Sequence, residues 1–264
     1  MPTLTFPDAT WGYAQAGAPK GKPVLVHHDF IGDAHFSPLW QEIGMFAGIR
    51  WIMLERPGYG ETPPVSMDAI GDWSDLLPPL LEVLQVERFS VVGLSAGAPY
   101  AYACAAAQPV EVEQVLIFSG IPFLHAPGVM DNYAETSRAA YDRYANASAQ
   151  ELRAEFSTFC EQTKADARGT DEETSITRSV HGILAHGAAG PAREARLQAL
   201  SWGFAPADIV CPVHLWHFAQ DPTIPFAAAK ASAQQLPQGH MHILERAERM
   251  PSAETLKAMT TLLS

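Results

Sequence analysis

Ser95 stands at the centre of Gly93-Leu94-Ser95-Ala96-Gly97, where an apolar, β-rich run passes directly into an alanine-rich run of helical character. A serine on a sharp strand-to-helix turn needs very small residues two positions to either side, because the backbone folds back on itself there. Such a turn lifts the hydroxyl above the sheet and sets it at a helix N-terminus. The Ala96 N–H then faces the place where negative charge would develop on a carbonyl oxygen. The chemistry is nucleophilic attack on a carbonyl carbon. Without partners, the same serine is the N-cap of an ordinary strand–helix turn.

The elements that must hold this serine follow from the hydrophobic pattern. Short apolar runs bounded by turn residues alternate with longer stretches of helical period, which predicts a mainly parallel sheet covered by helices. Strands are expected at 3–6, 11–16, 24–28, 51–55, 89–94, 115–119, 213–217 and 241–244, the first two forming an antiparallel hairpin around a short polar turn. Ahead of Phe89, the residues Trp73, Leu76, Leu77, Leu80, Leu81 and Leu84 mark one buried helix face. Pro78 and Pro79 predict a kink there, or two short helices. Residues 98–108, apolar nearly all round, predict a helix packed on the central strands. The segment 122–201 lacks strand-like alternation. It carries two capping-box patterns, Ser148 with Glu151 and Thr170 with Glu173, and Gly187, Gly190 and Pro191 punctuate its end. It is expected to be an insertion of about four helices, dividing an α/β core into 1–121 and 202–264.

With these motifs in place, nearly the whole chain resembles the α/β-hydrolase fold superfamily. The segment "PVLVHHDFIGD" is similar to that family's strand and oxyanion loop, with His28, Gly32 and Asp33 on matching positions. "LERPGYG" resembles its acidic-x-P-G-x-G loop through Glu55, Pro57, Gly58 and Gly60. The resemblance implies an eight-stranded, mostly parallel sheet with a helical cap, Asp221 as the catalytic acid, and the Phe30 and Ala96 N–H groups as the oxyanion hole. Two positions depart from the pattern. Arg249 falls where the catalytic histidine is usual, and a guanidinium, protonated at any ordinary pH, cannot act as a base. Its expected partner is Asp221, in a buried ion pair. Asp29 replaces a glycine of the oxyanion loop, where a carboxylate opposes the charge of a tetrahedral intermediate. Of the ten histidines, His28 and His217 read as structural. His35, His125, His181 and His186 are the alternatives for a missing base, each set against an ordinary surface or core role. Tyr59 and Trp202 line the pocket or pack beneath the cap, while Trp73 and Phe89 belong to the core. The acidic run Asp171, Glu172 and Glu173 fits a helix first turn.

Composition sets the outer bounds. The 264 residues carry a formal net charge of −12, with 17 basic against 29 acidic side chains, so the average field repels phosphate backbones and nucleic-acid binding is not expected. Three cysteines, Cys104, Cys160 and Cys211, read as buried thiols of a reducing compartment. No secretory signal or membrane-spanning run is visible, and a cytoplasmic protein is expected. No phosphate-binding loop, dinucleotide fingerprint or metal-ligand spacing occurs, so no cofactor and no metal are expected. Three functions compete. One is a Ser95-dependent hydrolase of a small ester, lactone or amide, with another histidine supplying the base. The second is a lyase, cyclase or isomerase on the same scaffold, with Arg249 as an anion clamp and Ser95 or Asp29 as a hydrogen-bonding or proton-transfer group. The third is an inactive protein that binds a small-molecule ligand.

Overall fold

The computed structural model describes residues 2–6 and 10–263. Eight strands form one sheet in the order β1-β2-β4-β3-β5-β6-β7-β8. They are β1 (Thr3–Thr5), β2 (Thr10–Gly17), β3 (Lys22–His27), β4 (Ile49–Leu54), β5 (Phe89–Leu94), β6 (Val112–Phe118), β7 (Val213–Phe218) and β8 (Gly239–Leu244). The β1–β2 and β2–β4 pairs are antiparallel and every later pair is parallel. The polar turn expected between β1 and β2 lies outside the described residues. Central β5 is buried along its whole length, as a strand covered on both faces must be. One face packs on α2 (Trp73–Leu84) and α3 (Ala98–Ala107), and the other on α1 (Pro38–Ala47) and α9 (Ala253–Leu263). The shorter α8 (Phe226–Ala233) lies between β7 and β8 in the chain.

Three local expectations are corrected. Helix α2 continues through Pro78 and Pro79 as one element, so of the two expected forms the pair of short helices does not occur. Each interior proline costs about 3 kcal/mol, but Trp73, Leu77, Leu80, Leu81 and Leu84 are all buried on this helix. At roughly 1.5–3 kcal/mol for each large apolar side chain, packing outweighs the broken ladder. The Thr170–Glu173 capping box does not form. Thr170 Oγ1 donates to Ala167 O at 2.7 Å, and the Glu173 carboxylate turns back to accept from Gly169 N at 2.8 Å. Gly187, Gly190 and Pro191 do not end the helical segment. Gly187, at φ 59°, makes a turn within it. Gly190 and Pro191 stand in the first turn of a further helix, where a missing N–H costs nothing.

Four helices lie between β6 and β7: α4 (Glu135–Asn146), α5 (Ala149–Asp166), α6 (Glu173–Ala185) and α7 (Ala189–Ala199). The Ser148–Glu151 capping box forms as expected, with Ser148 N donating to Glu151 Oε2 at 2.8 Å and Glu151 N to Ser148 Oγ at 3.2 Å. The helices bury a core of their own, built on Leu152, Phe156, Ile176, Val180 and Ile183, and Ile31 and Tyr59 from the sheet side enter it. The seam is close enough to exclude side chains. A Cβ on Gly58, itself at φ 83°, would come within 2.6 Å of Gly190 N. No helix among the described residues is long and apolar enough to cross a membrane.

Candidate active site

Ser95 follows β5 directly and has φ 49°, a left-handed backbone that costs a non-glycine residue roughly 1–2 kcal/mol. The flanking glycines explain how the chain tolerates this turn. A Cβ on Gly93 would lie 2.6 Å from Ala98 Cα, and one on Gly97 would lie 2.7 Å from His28 O and still closer to His27 O. The backbone of residues 27–28 is therefore in contact with the turn, which brings the loop after β3 to the side of Ser95. Ser95 O accepts from Ile121 N at 3.1 Å, tying the turn to the chain beyond β6.

The loop after β3 is fixed by a buried guanidinium that the sequence reading did not single out. Arg56, fully buried, donates from Nη1 to His28 O at 2.6 Å and from Nη2 to Asp29 O at 3.1 Å. Its Nε and Nη2 also meet the two carboxylate oxygens of Glu194 at 2.5 and 3.0 Å, and Glu194 is likewise fully buried on α7. Burial works against the Arg56 charge, and the adjacent Glu194 carboxylate more than offsets it, raising the guanidinium's pKa. Tyr59 and Tyr100 flank it with ring centroids 5.3 and 4.9 Å from its central carbon. Phe30 meanwhile packs its ring on Phe156 and Phe159 of α5. A charged residue among Ala192 and Ala195 on a small-residue helix was the available signal for Glu194.

His28 is structural, as expected. Arg56 N donates to its Nε2 at 3.3 Å, which leaves Nδ1 protonated and donating to Asp29 O at 2.8 Å. Burial, and then the Arg56 charge, push its pKa well down. His217 donates from Nε2 to Ile224 O at 2.8 Å, with Asp221 Oδ2 3.8 Å away. Asp221 Oδ1 accepts from Thr223 N at 2.8 Å and Ile224 N at 2.9 Å, so the acid loop is held by its own backbone.

Arg249 does not meet Asp221, which corrects the expected ion pair. It is about half exposed and pairs instead with Glu172, just before α6, and with Asp29, whose Oδ2 lies 3.8 Å from its Nη2. The two positions that depart from the family pattern thus face each other. Glu172 also does more than stabilise a helix start. On the same side Arg178 of α6 grips Asp33 through both oxygens, at 2.6 and 3.2 Å. These pairs rim a cleft of about 290 Å³ lined by Asp29, His35, Trp40, Leu94, Arg178 and Arg249, among others.

The alternative histidines are dispersed. His35 is exposed at this cleft. His125 lines a separate cleft of about 360 Å³ with Phe123, Trp202 and Phe204. His181 is exposed on α6, and His186 is hydrogen-bonded to Gly60 O at 3.0 Å. Among the described residues, no hydrogen bond joins a histidine to the Ser95 side chain. Tyr59 is fully buried against His28 and Gly190, while Trp202, also buried, packs at a tilt against Phe123 beside the second cleft. Trp73 and Phe89 are core, and all three cysteines are free and buried.

A mostly parallel sheet, a serine on a left-handed elbow after its central strand, and helices inserted after β6 define the class of the fold, an α/β protein with a helical insertion. The model of the alpha/beta hydrolase family matches residues 24–252, and the chain belongs to that family. It is 34% identical over 113 residues to a 2-succinyl-6-hydroxy-2,4-cyclohexadiene-1-carboxylate synthase of Escherichia coli, covering 42% of this chain and 43% of that protein. It is 31% identical over 123 residues to an uncharacterized hydrolase, YcgS, of Bacillus subtilis, covering 45% of this chain and 41% of that one. These matches span less than half the length of the curated relatives. An esterase of Exiguobacterium antarcticum shares the fold at a TM-score of 0.72 and 13% identity, over 99% of this chain and 97% of that one.

Proposed function

We propose that the protein is a serine-dependent hydrolase of a small ester, lactone or amide. Ser95 attacks the carbonyl, and the backbone N–H groups of Ala96 and Phe30 receive the oxyanion. Asp221 completes the polar side of the site. The observation that carries this reading is the left-handed Ser95 at φ 49°, because a strained serine between two crowded glycines has no use as a mere helix cap. Arg56 and Glu194 support it by fixing the loop that presents the Phe30 N–H. The substrate reaches Ser95 beneath the helices α4–α7, which serve as a cap.

A second reading has one observation in its favour. Arg249 lines the cleft with about half its surface exposed, where a guanidinium can clamp a carboxylate or enolate during lyase, cyclase or isomerase chemistry. The test compares wild type, Ser95→Ala and Arg249→His on p-nitrophenyl acetate and butyrate, with fluorophosphonate labelling in parallel. Turnover and labelling that vanish in Ser95→Ala are expected. A silent wild type with activity gained in Arg249→His would exclude the hydrolase reading and favour the anion clamp. A ligand that raises the melting temperature while nothing turns over would favour a binding protein.

A further inference from the structure

We infer that Asp29 carries the proton for the Ser95 reaction, doing from the oxyanion loop what an imidazole does from the loop after the last strand. The inference rests on the hydrolase reading above. Its starting point is geometric. Arg249, the residue at the missing histidine's position, meets two carboxylates, Glu172 and Asp29, and the one that belongs to the oxyanion loop is Asp29, with Oδ2 3.8 Å from Nη2. Its backbone is fixed from two sides, since Asp29 O accepts from His28 Nδ1 at 2.8 Å and from Arg56 Nη2 at 3.1 Å. The two residues before it carry the carbonyls that abut Gly97 of the elbow. Its side chain is about one-fifth exposed and lines the cleft, so it is open to substrate yet largely withdrawn from water.

The histidines do not compete for this role. His28 has both nitrogens engaged, His186 is spent on Gly60 O, and His125 lies in the other cleft. His35 and His181 are both exposed to water, His35 at this cleft and His181 on α6. Asp29, by contrast, is pushed up by burial to about 6, against the downward pull of Arg249 and Arg56 and with a further upward push from Asp33. That is close to the 6.5 or so of a free imidazole, the range suited to a base near neutral pH. The remaining charges around it are accounted for in pairs, Glu172 on Arg249 and Arg178 on Asp33, while His28 is held neutral.

Proton transfer also removes the electrostatic objection to a carboxylate in an oxyanion loop. The Asp29 carboxylate takes the Ser95 Oγ proton as Oγ bonds to the carbonyl carbon, so it becomes neutral as the negative charge appears on the carbonyl oxygen. One negative charge moves and none is added. The neutral acid then returns the proton to the leaving oxygen or nitrogen as its bond to the carbonyl carbon breaks. Water, deprotonated by the regenerated carboxylate, then adds to the acyl carbon; the bond to Ser95 Oγ breaks, the neutral Asp29 returns that proton to Oγ, and the acid product leaves.

The test measures kcat/KM for p-nitrophenyl acetate and the fluorophosphonate labelling rate against pH in wild type, Ser95→Ala, Asp29→Asn and Arg249→Ala, each checked by thermal melting. Wild type should lose both rates as pH falls through about 6. Asp29→Asn should lose on the order of a hundredfold or more in both, the usual scale of general-base catalysis, and lose the acid limb as well. Arg249→Ala removes a charge that favours the carboxylate, so its acid limb should move to higher pH. This second variant decides the matter if Asp29→Asn does not fold. Activity of Asp29→Asn near that of wild type, with Ser95→Ala dead, would overturn the role of Asp29 and leave the hydrolase reading standing. An acid limb unmoved in Arg249→Ala would overturn it too. A wild type with neither turnover nor labelling overturns both.

Discussion

Replacing Glu194 by leucine tests the core-to-insertion contact most severely. The change removes a carboxylate with no solvent exposure that holds Arg56 through bonds of 2.5 and 3.0 Å. Arg56 cannot turn to water, because it is itself fully buried and its other donors hold His28 O and Asp29 O. A second guanidinium would be left facing it, since Arg193 Nη2 lies 3.9 Å from the same carboxylate. Leaving one buried charge of a pair uncompensated costs about 3–5 kcal/mol, which for a chain of this size lowers the melting temperature by roughly 10 °C. Removing both charges should cost less than removing the carboxylate alone. Urea unfolding of Glu194→Leu, Arg56→Met and the double variant should therefore give a coupling of about 2 kcal/mol or more. If the two single effects add to within about 0.5 kcal/mol, the pair does not act as a unit and the reasoning fails.

Three further outcomes are expected. Ser95→Gly should raise stability by about 1 kcal/mol, because glycine accepts the left-handed backbone without penalty, while fluorophosphonate labelling disappears; an unchanged urea midpoint would show that the turn is unstrained. Glu55, buried with Oε2 accepting from Glu61 N at 2.6 Å, has its pKa raised by burial to about 7 against the pull of the Glu61 and Ala34 N–H groups. Its folded form holds the proton longer than the unfolded chain does, so its contribution is full below about 4.5 and is lost as pH rises toward 7. Glu55→Gln should flatten that part of the stability–pH curve, as differential scanning at pH 5 and pH 8 would show. Arg178→Ala breaks a pair whose arginine is about one-third exposed; a loss of about 1 kcal/mol or less is expected in urea unfolding, and a larger loss would mean that α6 depends on this contact.

What could be read in advance was what is encoded locally. The elbow is five consecutive residues whose crowding follows from the turn itself, and the strands announce themselves as short apolar runs between breakers. The Ser148 box forms because its partners are three residues apart, yet Thr170, with the same spacing, accepts from Glu172 N in place of Glu173 N while the Glu173 carboxylate turns to Gly169 N. Proline in α2 misled for the opposite reason: its local penalty was plain, while the burial that overrides it depends on α3 and the sheet. The encounter of Asp29 with Arg249 joins residues 220 positions apart, and nothing near either one names the other. Pairing Arg249 with Asp221 was chemically reasonable, but the acid loop satisfies Asp221 with its own N–H groups and leaves Arg249 to the nearer carboxylates.

The bond between Arg56 and Glu194 spans 138 positions of chain. During synthesis at about 5–20 residues per second, Arg56 therefore waits on the order of ten seconds for its partner to be made. Over that interval its guanidinium keeps its water, and the carbonyls of His28 and Asp29 lack their clamp. Pairing of β3 with β4 needs only residues 22–54, so that part of the sheet can set first. The loop beside Ser95 takes its final shape only after α7 docks. The helical insertion, seen from this side, is an interior strut that arrives late, and the reactive surface is among the last parts of the molecule to come into being.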